Sequence, residues 1–293
     1  MNTETNQYSA PKLAVIPAAG KGTRFLPSTK ATPKEMHPLL NTPLIHHCLN
    51  ELKDADVEEV IIVSHVEKKT LETYFEDHSE LKKLLSSDGK TDLVERLNEI
   101  ERLPKVTFAY QDEQLGLAHA IYSAKKEIAE RDFYVLLPDE IFIPKDKSQN
   151  PCIELKKSFL KTGVSTISLL EVEESQVPNY GVAKIEKTQN EKCFKVLGLI
   201  EKPKLEEAPS NLILPGRYLM KAEILDQIEK TAKRNGEVQF TDSMMQLSKL
   251  NGVVTECPRF DGGSVLGFLK ANIYAALQNP DLKPEIESFI KQL

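Results

Sequence analysis

Between residues 20 and 34 the chain gathers two glycines, Gly20 and Gly22, with Lys21, Arg24, Lys30 and Lys34. Small residues let the backbone come close to a ligand, and N–H groups in such a turn can cradle phosphate oxygens. Arginine and lysine at the rim can neutralise the same oxygens. The chemistry on offer is phosphate binding; the competing reading is a solvated turn with ordinary surface cations. Two familiar phosphate motifs are excluded. A Walker A loop needs Ser or Thr after its Gly-Lys, and here Gly20-Lys21 is followed by Gly22. A dinucleotide fingerprint needs a third glycine where Phe25 stands.

Other polar residues are ambiguous by type alone. Asp139 follows Pro138 and reads equally as a cap or a functional carboxylate. Asp261 precedes Gly262-Gly263, a natural Asp-Gly turn. Lys202 is a surface lysine by default, and Glu201 beside it could make an exposed pair worth ~0–1 kcal/mol. His46-His47-Cys48 has only a superficial likeness to a metal cluster, because adjacent helix residues point different ways. His119 reads as a structural or local polar contact.

The elements that must position these residues follow from hydrophobic patterning. Leu13–Ile16 and Val60–Val63 are short apolar runs of the kind that form buried strands. Residues 43–54 carry Leu44, Ile45, Cys48, Leu49 and Leu52 at helical spacing. A polar helix is expected over 67–76, a strand over 106–110, a helix over 116–128 and a strand over 133–137. Residues 77–105 are charged and helical in pattern, with Gly89 as a break. Further on, strands are expected at 164–171, 182–186, 194–200 and 212–220. Helices are expected at 221–231, 241–249, 266–278 and 283–292. Strands alternating with helices predict an α/β fold of Rossmann-like type, a mixed, mainly parallel sheet flanked by helices. Ligands on such sheets sit at the carboxyl ends of strands, where both the glycine loop and Asp139 fall.

Composition narrows the classes. The 293 residues are 40% hydrophobic and 28% charged, as in ordinary globular proteins. A net charge of −6 disfavours non-specific nucleic-acid binding. Four scattered cysteines suggest neither a zinc site nor a disulfide framework. No apolar segment approaches membrane-spanning length, and the N-terminus lacks a signal core, so neither a membrane nor a secretory route is expected and the chain reads as cytoplasmic. No repeat or linker divides it. One domain over 1–293 is expected, with residues 1–11 a disordered tail.

In order along the chain stand GKGTRFLPSTKATPKEM, GLAHA at 116–120, LPD at 137–139, YGV at 180–182, EKPK at 201–204, APSN at 208–211, GRY at 216–218 and EVQFTD at 237–242. Over roughly residues 12 to 280 this series resembles the nucleotidyltransferases of the sugar-nucleotide pyrophosphorylase superfamily. PKEM at 33–36 is most similar to the bacterial glucose-1-phosphate uridylyltransferases. The resemblance implies attack of a sugar-phosphate oxygen on the α-phosphorus of UTP with loss of pyrophosphate, residues 12–150 forming the nucleotide-binding half and 151–293 the sugar-phosphate half with C-terminal helices. It implies that Arg24 and Lys34 act on the triphosphate, and that Ala18, Ala19 and Gly20 lie against the nucleoside. Glu35 joins the substrate-binding set, and Gln111 and Gly116 read uracil. Glu201 accepts sugar hydroxyls, Lys202 holds the sugar phosphate and Gly181 lets the sugar approach the backbone. Asp139 and Asp261 bind Mg2+. A homo-oligomer, dimer or tetramer, is expected. The alternatives are another sugar-1-phosphate, dTTP in place of UTP, or a non-catalytic sugar-nucleotide sensor. The chain departs from the family at Ser264 and Val265, where asparagine and lysine are usual, and at Ala118, where glycine is common.

Overall fold

Leu13, Ala14, Val15 and Ile16 are buried in β1 (Leu13–Pro17), as a strand covered on both faces requires. In the computed structural model, which describes residues 8–188, 192–234 and 236–292, the loop after β1 ends in a small hairpin, β2 (Pro38–Leu39) and β3 (Thr42–Pro43). Helix α1 (Leu44–Asp54) follows, then β4 (Glu59–Ser64). The predicted helix at 67–76 shrinks to α2 (Lys69–Thr73). Gly89, at φ 70°, separates α3 (Ser79–Ser87) from α4 (Thr91–Glu101), the break its sequence implied. After β5 (Lys105–Tyr110), the helix expected at 116–128 is divided at Ala124 into α5 (Leu117–Ser123) and α6 (Lys125–Ile128). Next come β6 (Phe133–Leu136), β7 (Glu140–Phe142) and α7 (Pro151–Thr162).

The second half supplies β8 (Thr166–Glu171), β9 (Gly181–Lys187) and β10 (Cys193–Glu201). The strand expected at 212–220 is two strands, β11 (Leu212–Ile213) and β12 (Arg217–Met220), interrupted at Pro215-Gly216 where Gly216 has φ 77°. Helices α8 (Ile224–Lys230) and α9 (Phe240–Met244) lead to β13 (Asn251–Val254) and β14 (Arg259–Asp261). Helices α10 (Val265–Gln278) and α11 (Lys283–Ile290) follow. Of the tail expected at 1–11, residues 1–7 lie outside the described residues. Among the described residues no helix is long and apolar enough to cross a membrane.

Ten strands form one sheet in the order β11-β9-β10-β13-β8-β12-β6-β1-β4-β5. The parallel character is concentrated in β6-β1-β4-β5. The other half is mostly antiparallel, with β13 on β8 its parallel pair. Side chains of β1 alternate between two cores: Leu13 and Val15 join α5 on one face, Ala14 and Ile16 join α1 and α7 on the other. The chain runs from β1 outward to β4 and β5, then returns to place β6 on the far side of β1. The order reverses there, and a crevice opens beyond the strand ends.

A buried ion pair holds this reversal point. Arg217 is 0% exposed, and its guanidinium donates to both carboxylate oxygens of Glu51 on α1, at 2.8 and 2.7 Å. It also donates to the carbonyls of Leu137 and Glu140, at 2.8 and 2.7 Å, and lies 4.7 Å from the Phe142 ring centroid. Arg217 therefore grips the turn carrying Asp139 from both sides. Truncating it leaves the Glu51 charge buried alone, a loss of about 3–5 kcal/mol. Urea unfolding of Arg217→Ala should show a loss of that size, and the double variant Arg217→Met/Glu51→Leu should recover part of it. A loss below about 1 kcal/mol, the level of an exposed pair, would refute this role.

Candidate active site

The loop after β1 is folded by local turns and pinned by side chains. Gly22 adopts φ 63°, and a Cβ there would stand 3.0 Å from Thr29, whose hydroxyl donates to the Gly22 carbonyl at 2.8 Å. His37 packs edge-on against Phe25 and beside Phe268 of α10, tying the loop to that helix. Ala18 and Ala19 are buried at its base; a Cβ on Gly20 would meet nothing within 4 Å, so the backbone there is open to a ligand.

Lys34 and Asp139, 105 positions apart, meet at 2.5 Å between Nζ and Oδ2. The glycine loop and the Pro138-Asp139 turn thus share one face, as their positions after strands imply. Asp261 arrives through the β14–β7 pairing, which sets it opposite Glu140. A Cβ placed on Gly263 would stand 3.0 Å from Arg24 Nη2, 3.0 Å from Asp261 Oδ1 and 3.1 Å from Asp139 Oδ2. Two carboxylates and two cations therefore surround one small space. The donor set fits a divalent cation: Mg2+ takes one or two carboxylates and fills its remaining positions with phosphate oxygens and water. The Lys34 ammonium seated on Asp139 is a stand-in for such a charge. Among the described residues no third His, Cys, Asp or Glu completes the group.

Ser264 and Val265, the departures from the family pattern, resolve physically. Ser264 is the N-cap of α10 and accepts from the Gly267 amide at 3.2 Å, a task serine performs as well as asparagine. Val265 is exposed on the first turn. A Cβ on Gly267 would lie 2.1 Å from the Asp261 carbonyl, so α10 approaches the Asp261 turn as closely as only glycine permits.

A second group of predicted residues meets where β9 and β10 pair, with Gly181 opposite Glu201. A Cβ on Gly181 would stand 3.1 Å from both Glu201 Oε2 and Thr241 Cγ2. The Thr241 hydroxyl is buried without a hydrogen-bond partner in the protein. Lys202 has φ 46°, left-handed for a non-glycine residue, and its side chain is 64% exposed, with Nζ 3.9 Å from Glu201 Oε1. Such strain persists where surroundings over-determine it and concentrates at functional sites. Arg259 joins the two groups, bonding the Glu140 carboxylate and donating to the Tyr180 hydroxyl at 2.8 Å. Burial pushes the Glu140 carboxyl up to about 7, against the pull of Arg259.

Gln111 and Gly116, the residues expected to read the base, are also brought together. Gln111 is buried; its side-chain nitrogen lies 3.3 Å from the Gly116 carbonyl and 2.9 Å from His119 Nδ1. This local contact was the expectation for His119. Gly116 has φ 94°, and a Cβ there would stand 3.0 Å from Glu237 Cβ and from the Val238 carbonyl in the EVQFTD segment.

Two contributors were not among the residues that the sequence singled out. Lys68, from the loop after β4, donates to the Ala18 carbonyl at 2.5 Å and to Glu35 Oε2 at 3.0 Å. Arg217 sits in the GRY motif, but nothing in its neighbours announces a fully buried guanidinium. His46 is buried and bonded to the Tyr74 hydroxyl at 2.7 Å, with burial lowering its ring to about 4.

Comparison with known proteins follows from this geometry. The Nucleotidyl transferase family profile matches residues 13–261. The chain belongs to that family. A UTP–glucose-1-phosphate uridylyltransferase of Staphylococcus saprophyticus is 40% identical over 288 residues, covering 96% of this chain and 98% of the relative. The like-named protein of Staphylococcus epidermidis is 40% identical over 287 residues, covering 96% and 98%. Among solved structures, a UTP-bound UGPase from Acinetobacter baumannii superposes with a TM-score of 0.89 at 34% identity, covering 97% of this chain and 99% of that one. A UDP-glucose pyrophosphorylase complexed with UDP-glucose gives 0.82 at 30% identity, covering 92% and 100%.

The electrostatics of this family member's central pair yield a test. Burial favours neutral Asp139, but the Lys34 charge and hydrogen bond, with Arg24, hold its carboxyl below the ordinary 3.8. Burial likewise opposes the Lys34 charge, yet Asp139 and Glu35 raise the ammonium above 10.5. By linkage, Asp139's contribution to stability is fully present above the ordinary aspartate value and is lost as pH falls through the depressed one. In Lys34→Met, burial acts with less opposition, so Asp139 should titrate at higher pH. A carboxyl 13C titration by NMR reads this directly; an unmoved or lowered value would show that Lys34 does not set it.

Proposed function

We propose that this nucleotidyl transferase joins UTP and glucose 1-phosphate to give UDP-glucose and pyrophosphate. The single observation that carries the reading is the convergence of Asp139, Asp261, Arg24 and Lys34 around one space at the reversal point of the sheet. The names of relatives at 40% identity over nearly the whole chain supply the substrate assignment. We read residues 12–150 as the nucleotide half and 151–293 as the sugar-phosphate half of one unit.

In this reading the nucleoside lies on the Ala18-Ala19-Gly20 backbone. Gln111's nitrogen is engaged by Gly116 and His119, which leaves its oxygen as an acceptor. Uracil N3–H is a donor and fits that acceptor; cytosine N3 is itself an acceptor and does not. Thymine shares the uracil edge, so Gln111 alone does not exclude dTTP. Arg24 and Lys34 neutralise the triphosphate, Lys34 exchanging its Asp139 contact for phosphate oxygen. Glu201 and the Gly181 backbone receive the sugar, and Lys202 swings in to hold its phosphate. A sugar-phosphate oxygen then forms a bond to the α-phosphorus as the bond to pyrophosphate breaks; no side-chain nucleophile is required, because positioning and charge neutralisation lower the barrier. Asp139 and Asp261 would hold Mg2+, which when bound supplies positive charge against the triphosphate.

The sensor alternative needs no converged carboxylate pair, and pyrophosphate release separates the two. Asp139→Asn and Asp261→Asn should each lower kcat at least about 100-fold, and the double variant should lose little more, since both act on one ion. Near-normal kcat in Asp261→Asn at saturating Mg2+ would return Asp261 to a turn role. UTP should be favoured over CTP by about 10–100-fold in kcat/KM, one or two unpaired buried groups costing ~1–3 kcal/mol each; equal turnover of CTP would remove Gln111 from base selection. Lys202→Ala should raise KM for glucose 1-phosphate far more than KM for UTP.

We also read the enzyme as a homo-oligomer. Val265, Leu269 and Ile273 follow one another along α10 at four-residue spacing and are all exposed, with Phe289 and Ile290 exposed on α11. Light scattering of Leu269→Glu should report a smaller particle than wild type; an unchanged mass would place the interface elsewhere.

A further inference from the structure

The β1 loop and the Lys34–Met36 turn must hold a fixed spacing if the backbone at Ala18 and the Lys34 ammonium are to serve one nucleotide. Two features tie them. Ala18 is fastened to β4 by its amide, which donates to the Val63 carbonyl at 2.7 Å. Its carbonyl accepts from Lys68 Nζ at 2.5 Å. The same Nζ donates at 3.0 Å to Glu35 Oε2, and the Glu35 side chain is 1% exposed while that of Lys68 is 14% exposed. Glu35 directly follows Lys34 in a single 3-10 turn, so fixing one carboxylate fixes the base of the neighbouring lysine. The second Glu35 oxygen, Oε1, is buried with no hydrogen-bond partner. A buried carboxylate with one oxygen unpartnered depends on its one cation.

We propose that Lys68 is a positioning residue for the nucleotide: one ammonium clamps the Ala18 carbonyl to the Glu35 carboxylate and so sets the distance between the nucleoside floor and the turn bearing Lys34. Lysine suits the task because its three donors can serve a carbonyl and a carboxylate at once. The loop after β4 thereby joins the site although it carries no glycine motif and none of the motifs quoted from the sequence. The sugar cradle, built on β9 and β10, is fastened by other contacts and is untouched by this clamp. The proposal rests on the reading of this site as a UTP site.

The test compares wild type with Lys68→Met, with Lys68→Met/Glu35→Gln and with Lys68→Arg. The double variant removes both charges while keeping side-chain length, so it separates burial of a lone carboxylate from positioning. UTP affinity is measured by calorimetry, KM for each substrate by pyrophosphate release and folding by thermal melting. Expected is a double variant that melts closer to wild type than Lys68→Met does, yet binds UTP at least 10-fold more weakly, with KM for glucose 1-phosphate changed less than 2-fold. Lys68→Arg should recover part of the UTP affinity. Wild-type UTP affinity in the double variant would overturn the proposal and leave Lys68 a mere counter-ion for Glu35. Equal weakening toward both substrates would also overturn it. Wild-type protein that binds no UTP would overturn the functional reading itself, and the proposal with it.

Discussion

The contact on which most of the molecule depends is the two-pronged pairing of Arg217 with Glu51. It is buried where α1, β6 and β12 meet, and two of its three remaining N–H donors go to the carbonyls of Leu137 and Glu140. A charge placed in a core must be matched in full, because desolvation otherwise exceeds the Coulombic return. The match here is geometric as well as electrostatic: a planar fork meets a carboxylate on one side and two backbone oxygens on the other. Gly216, just before it, lets the chain come within 2.9 Å of Leu137 and Glu140 at its missing Cβ. The turn carrying Asp139 is thus clamped from below by a guanidinium and from the side by a bare backbone. An apolar core could hold the same strands together, but it could not fix the direction of two carbonyls.

Above that clamp the charges alternate. Lys68 meets Glu35, Lys34 meets Asp139, and Arg24 stands near Asp261 and Asp139. The protein as a whole is acidic, with a net charge of −6, yet cations are delivered where phosphate chemistry would take place. Lys68 and Lys34 are each held by a carboxylate, which keeps the group ordered without leaving those charges unpaired in a half-buried space. The second group, around Gly181, Glu201 and Lys202, follows a different logic. It uses strand register to set residues opposite each other, and a left-handed lysine whose exposed side chain stands beside Glu201 at the end of β10.

Much of this was legible in the sequence. Apolar runs fixed by period and length became β1, β4, β5 and β6 within a residue or two, and Gly89 broke the charged helical stretch where its φ demands. Proximity of the loop to Asp139 followed from the rule that ligands gather beyond strand ends. What escaped was tertiary. Lys68 lies in VEKKTL, where every signal says exposed helix, and only the fold carries it under Ala18. Arg217 is surrounded by apolar residues that would sit as well in any strand. The interruption at 214–216 had its signal in the Pro215-Gly216 pair, a turn dipeptide overridden by the apolar residues on either side. The parallel bias of the second half was overestimated: β8 and β12 carry the continuous buried runs usual in parallel sheets, although they pair with each other antiparallel.

The pairing of β14 with β7 has a consequence for how the molecule comes into being. Its register, Asp261 against Glu140, joins segments far apart in sequence. During synthesis the chain emerges from its amino end, and domains tend to collapse as they appear. The glycine loop, β1, β4 and β5 can find one another early, through local crossovers. Asp139 then waits, first for Arg217 to grip its turn and later for Asp261 to stand beside it. A nascent chain would pass through a stage in which β1, β4 and β5 are together while the acidic pair and the contact of the glycine loop with Phe268 are still to form, and such non-local closures are slow. The last strand of the chain is the one that delivers the second carboxylate, so the acidic pair is complete only once β14 lies on β7.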